Sequence, residues 1–157
     1  MATTALKPFV RLGTFAALVV LLGSCTDATS QVQVALGSLP SGPWTAWVYE
    51  SYSTGLCLEV RLAGGADSIC SLEDAGGIMR THPNGEAGVL AGATSDPAAT
   101  LVRVSTLDGA ILEGEVVAAR PVTDLRFFAL ALPARVAPSQ LEILDKDGDA
   151  LETVSLD

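Results

Sequence analysis

From Gln31 onward the chain alternates apolar and polar positions with period two, and turn signals interrupt it every 8 to 15 residues. That is the pattern of half-buried strands in a sandwich or barrel. Val32, Val34 and Leu36 alternate with polar or small neighbours, and residues 40–43 break the run. Residues 44–52 and 56–62 are strand-like and meet at Ser53-Thr54-Gly55, as a hairpin would. In the second run Leu56, Leu58, Val60 and Leu62 share the face expected to be core, while Cys57, Glu59 and Arg61 share the other. Trp47 and Tyr49 likewise oppose Trp44, Ala46 and Val48. Residues 63–87 carry no regular alternation. They hold many glycines and acids, the turn His82-Pro83-Asn84-Gly85, and room for a short helical turn near residues 72–75. Strands resume at residues 88–93, 100–106 and 110–117, the last two flanking the hairpin signal Asp108-Gly109. Residues 125–132 are apolar on both faces, as a central strand covered on both sides would be. Residues 141–144 and 150–156 flank a last turn at 145–149. About seven to nine strands and no long helix predict an all-β chain, an antiparallel β-sandwich that is immunoglobulin-like in the loose sense of two packed sheets.

The first residues follow a different rule. Lys7 and Arg11 precede an apolar run over residues 12–22, and the small residues Gly23 and Ser24 lead into Cys25. A run of eleven residues falls short of the roughly 18 to 20 that a spanning helix needs, so the segment reads as a secretory signal. Its end, Leu22-Gly23-Ser24-Cys25, resembles the bacterial lipobox. That resemblance implies a signal peptide over 1–24, cut before Cys25, and a diacylglyceryl group on the Cys25 thiol. Residues 25–30 then form the lipidated N-terminus and a short polar tether, and residues 31–157 the β-sandwich domain. After the leader, Lys146 is the sole lysine and Asn84 the sole asparagine, a usage that suggests a GC-rich genome. The domain resembles the β-sandwich domains of actinobacterial lipoproteins. The lipobox resemblance implies a location on the extracytoplasmic face of the cell membrane, and the domain's likeness implies no particular activity.

Removing 24 of the 157 residues takes away two basic residues and no acids, so the 133-residue mature chain has a formal charge of −11. A surface this acidic argues against nucleic acid and against docking on anionic headgroups. Membrane attachment is therefore expected through acylated Cys25. With that thiol used for lipid, Cys57 and Cys70 remain as one pair in an oxidising compartment. A bridge between them would lie on the outer face of its strand and tie down the segment holding Gly64-Gly65.

Candidate chemistry is sparse. Trp47 and Tyr49 could present an exposed aromatic face to a sugar ring or a partner protein, unless a neighbouring loop covers them. His82 is a further candidate contact, but no nucleophile and orienting acid stand near it in a recognisable setting. Asp145, Asp147 and Asp149 resemble the start of an EF-hand calcium loop. Ala150 replaces the sixth-position glycine and Leu156 the twelfth-position glutamate, so a solvated hairpin turn is the better account and any calcium binding would be weak. No cofactor motif and no catalytic motif is present. The reading that follows is a lipid-anchored, non-enzymatic binding module facing an envelope protein or a glycan. The alternatives are a cell-wall glycan hydrolase built on carboxylates alone, or a calcium-stabilised structural domain.

Overall fold

The period-two alternation is satisfied by two antiparallel sheets. A computed structural model describes residues 30–73, 77–82 and 86–156. The expected leader, Cys25 and most of the expected tether lie outside the described residues. So do residues 74–76 and 83–85, which include half of the expected helical turn.

Four strands form a meander, β1 (Gln31–Leu39), β2 (Gly42–Ser51), β3 (Gly55–Leu62) and β4 (Gly65–Cys70), paired in chain order. Their alternation decides what is buried. Trp44, Ala46 and Val48 of β2 and Leu56, Leu58 and Val60 of β3 face inward, whereas Trp47, Tyr49, Glu59 and Arg61 face outward. Cys57 and Cys70 stand directly opposite one another across β3 and β4 and form a disulfide. The bridge lies within this sheet, on its outer side, and holds an edge strand whose first four residues are exposed.

The remaining strands are β5 (Gly77–Arg80), β6 (Gly88–Thr94), β7 (Leu101–Thr106), β8 (Ile111–Ala118), β9 (Arg126–Leu132), β10 (Pro138–Leu144) and β11 (Ala150–Ser155). They form a seven-stranded sheet in the order β11-β10-β7-β8-β9-β6-β5. Both expected hairpins are present, with Gly109 and Gly148 at φ of 84° and 86° in their turns, a conformation that glycine adopts without a Cβ penalty.

Eleven strands stand where about nine were expected, and the two added ones, β4 and β5, come from the segment without alternation. An edge strand needs backbone partners but need not bury either face, so β4 leaves no apolar rhythm to read.

The seven-stranded sheet does more than cover the meander. Val89, Ala91 and Ala93 of β6 and Phe127 of β9 join the core beneath β1–β4. Their neighbours Leu90, Phe128, Leu130 and Leu132 point the other way, into a second core with Val102, Val104, Leu141 and Ile143 of β7 and β10. This requires the sheet to curl over its own opposite face. The bend lies in β8, whose residues from Ile111 to Glu115 pair with β7 while Val116 to Ala118 pair with β9. Strands β6 and β9 thereby become a middle layer. Every residue of β6 is buried, as the two-sided apolar pattern of residues 125–132 led one to expect for β9. Close approach is needed here: a Cβ on Gly92 would come within 2.5 Å of the Phe128 ring and 2.6 Å of the Gly77 carbonyl oxygen.

Two polar clamps hold the curl. Arg126 donates to the carbonyls of Pro97 and Val116 at 3.1 and 3.4 Å, and Arg80 donates to Val136 O at 3.1 Å. Among the described residues no helix is long and apolar enough to cross a membrane.

Candidate functional site

The outer face of the meander brings Trp47 and Tyr49 together with charged and amide groups. Alternation in β2 puts both aromatics on the side away from the core, where each is half-buried. Pairing places Glu59 opposite Trp47 and Arg61 opposite Thr45 on β3, with Gln33 opposite Trp47 on β1. The Arg61 guanidinium lies over the Trp47 ring, 5.0 Å from its centroid, at a range where the cation is attracted by the ring's negative face. The same guanidinium pairs with the Glu59 carboxylate and reaches Gln31 Oε1 at 3.4 Å. Trp47 Nε1 donates to Thr45 Oγ1 at 3.0 Å. Tyr49 has its pKa pushed above the ordinary phenol value, first by burial, then by the Glu59 charge and a hydrogen bond to it, with Arg61 acting the other way. Its hydroxyl therefore stays protonated and can act as a donor. The segment that might have covered this face instead supplies β4 and β5, and β4 extends the sheet beside it.

A sugar ring stacking on Trp47 would have to displace Arg61 from that ring face. What the arrangement offers without rearrangement is a flat patch of tryptophan, tyrosine and arginine rimmed by Gln31, Gln33 and Glu59, the residue types that dominate protein–protein hot spots. His82 is not part of it. It follows β5 in the other sheet, is exposed with φ of 53°, and has Nδ1 3.7 Å from Glu86 Oε2.

The aspartates of the last hairpin hold their own turn. Asp145 Oδ1 accepts the amides of Asp147 and Asp149, each at 2.9 Å, and Lys146 Nζ lies 2.6 Å from Asp147 Oδ2. Those amide hydrogen bonds, to Asp149 and then Asp147, hold the Asp145 carboxyl below the usual carboxylate range. Among the described residues no group of three or more His, Cys, Asp or Glu side chains converges as metal ligands would.

Glu73 and Asp108 are displaced downward as well, the first by the Leu56 amide and the second by the Thr106 hydroxyl. A glycosidase acid is displaced the opposite way, since it must keep its proton near neutral pH.

The Asp145 arrangement makes a prediction about acid. A carboxyl whose folded pKa is depressed stabilises the fold above its unfolded pKa of about 3.9, and that contribution is lost as pH falls through the lower folded value. Asp145→Asn keeps the acceptor oxygen and removes the titration. Urea midpoints measured from pH 6 down to pH 2 should fall less below pH 4 in the variant than in the wild type. Relief of self-repulsion by acid affects both proteins alike, so equal slopes would contradict the hydrogen-bonded turn.

Two features were not legible in the sequence. Leu107 and Ile111 project from the β7–β8 turn, 75% and 61% exposed. A cleft of about 240 Å³ opens between β5 and β11, the two edges of the curled sheet. Nothing in the local pattern marks Leu107 and Ile111 as exposed, and chain separation hides the cleft, which joins residues more than seventy positions apart.

Comparison with protein-family models, with curated proteins and with solved structures returns no match to this chain.

Proposed function

We propose that the chain is a lipid-anchored lipoprotein of the extracytoplasmic membrane face, whose β-sandwich is a non-enzymatic module that binds an envelope protein. The observation that carries the reading is the Cys57–Cys70 disulfide. It belongs to an oxidising compartment, and it leaves Cys25 as the odd cysteine, standing where an apolar run ends in Leu22-Gly23-Ser24.

Two acyl chains on Cys25 supply stable attachment, at about 0.8 kcal/mol per buried methylene. A mature charge of −11 supplies none at an anionic surface. The tether is short, since β1 begins at Gln31, so the domain sits close to the bilayer and meets partners at that height. The Trp47, Tyr49 and Arg61 face is the contact surface this reading favours. Arg61 lying over Trp47 favours a protein over a glycan.

One fractionation and cross-linking experiment on the producing cell tests both halves. Wild-type protein is expected in the membrane fraction, and Cys25→Ser in the medium or unprocessed. Trp47→Ala/Tyr49→Ala is expected to stay anchored and folded but to lose its cross-linked envelope partner. Membrane retention of Cys25→Ser with its leader cut would refute the anchor. Unchanged cross-linking by the aromatic double variant would remove that face.

A further inference from the structure

We infer that the cleft between the two edges of the curled sheet is a binding site for a small cationic amphiphile, a short apolar body carrying an ammonium group. The inference is independent of the outer-face reading. As the sheet curls, Ile78 of β5 and Val154 of β11 come to line one cleft, together with the buried Phe128, Leu141 and Ile143 that form its floor. All five are apolar, and the three floor residues are at most 2% exposed.

One charged residue lines the cleft, Glu152. Its carboxylate accepts a hydrogen bond from the hydroxyl of Thr94 at 3.4 Å, and Thr94 is itself 96% buried. That hydrogen bond holds the Glu152 carboxylate, exposed on β11, at the cleft, where its charge complements a cation and repels an anion. The volume of about 240 Å³ falls just below the roughly 300–1,000 Å³ of sites for drug-sized ligands. It therefore suits a short chain or a single ring rather than an oligosaccharide. Apolar contact would fix the body of the ligand, and Glu152 its polar end.

The test titrates the full chain with hexylammonium chloride, sodium hexanoate and hexanol in turn, following the methyl resonances of Ile78, Leu141, Ile143 and Val154. Saturable shifts are expected at these methyls, with hexylammonium binding more tightly than hexanoate. Glu152→Gln is expected to weaken hexylammonium roughly two- to five-fold, the range for an exposed ion pair, while leaving hexanol unchanged. Val154→Trp, on an exposed edge strand, fills the cleft and should abolish binding of all three, with dispersion elsewhere in the spectrum confirming the fold. Equal affinity for hexanoate and hexylammonium would overturn the proposal, as would binding that survives Val154→Trp. Self-association of the wild type that Val154→Trp abolishes would assign the cleft to a second copy of the chain instead.

Discussion

Phe127→Ala and Phe128→Ala are each expected to cost about 3–5 kcal/mol in urea denaturation, although the two side chains leave β9 in opposite directions. Phe127 is fully buried in the core beneath the meander, and Phe128 is 2% exposed in the core on the other side of the sheet. In an antiparallel sandwich of two layers, successive residues of a strand divide between core and solvent, so only one of such a pair is sensitive. Here β9 is a middle layer, and each ring loses contacts that no neighbour can replace. Gly92 reinforces this at Phe128, because its missing Cβ is what lets that ring lie against β6. A cost below about 1 kcal/mol at either position would mean that its face of β9 is not covered, and the curled third layer would be wrong. Domains are stable by only about 5–15 kcal/mol, so the double variant is expected not to fold.

Removing the disulfide is the second large perturbation. The bridge joins residues 13 apart, and a closed loop of that size contributes on the order of 3 kcal/mol in the chain-entropy model. For a domain of this length that corresponds to a fall in Tm of roughly 10 °C. Cys57→Ala/Cys70→Ala should show it, and so should the wild type under reductant.

The loss should begin locally. Only Ile69 and Cys70 of β4 are partly buried, so the strand is held by its ladder to β3 and by the sulfur bridge. Hydrogen exchange at residues 65–70 is therefore expected to accelerate first, while β6 and β9 stay protected. Unchanged protection in β4 would show that the ladder alone suffices and that the bridge acts elsewhere.

Much of the local structure was legible because strands record burial in their alternation. Trp44, Ala46 and Val48 face the core and Trp47 and Tyr49 the outside, as their spacing required once one face had to be buried. Asp108-Gly109 and Asp147-Gly148 form their turns, since the turn needs a residue that tolerates positive φ and the chain supplies one. Cys57 on the polar side of its strand placed the disulfide on the face of β3 away from the cluster of Leu56, Leu58 and Val60, although Cys57 itself is fully buried. β4 and β5 were not legible, because pairing at an edge uses backbone groups that every residue possesses. The aromatic face was legible as a face but not in its chemistry. Arg61 covers Trp47 because β3 pairs with β2 in one register, and a one-residue slip would have turned Arg61 inward.

The sequence by itself determined a disulfide pair, an all-β domain, and the inward and outward residues of most strands. Each of these depends on neighbours within a few positions or on composition. The tertiary structure decided which buried faces meet. β8 passes from β7 to β9 near Val116 and curls the sheet, which gives β6 and β9 two cores. The same curl brings Ile78 and Val154 to one cleft. Alternation specifies that a face is apolar. Which apolar face covers it is set by long-range pairing and sheet curvature, and no local pattern carries that information.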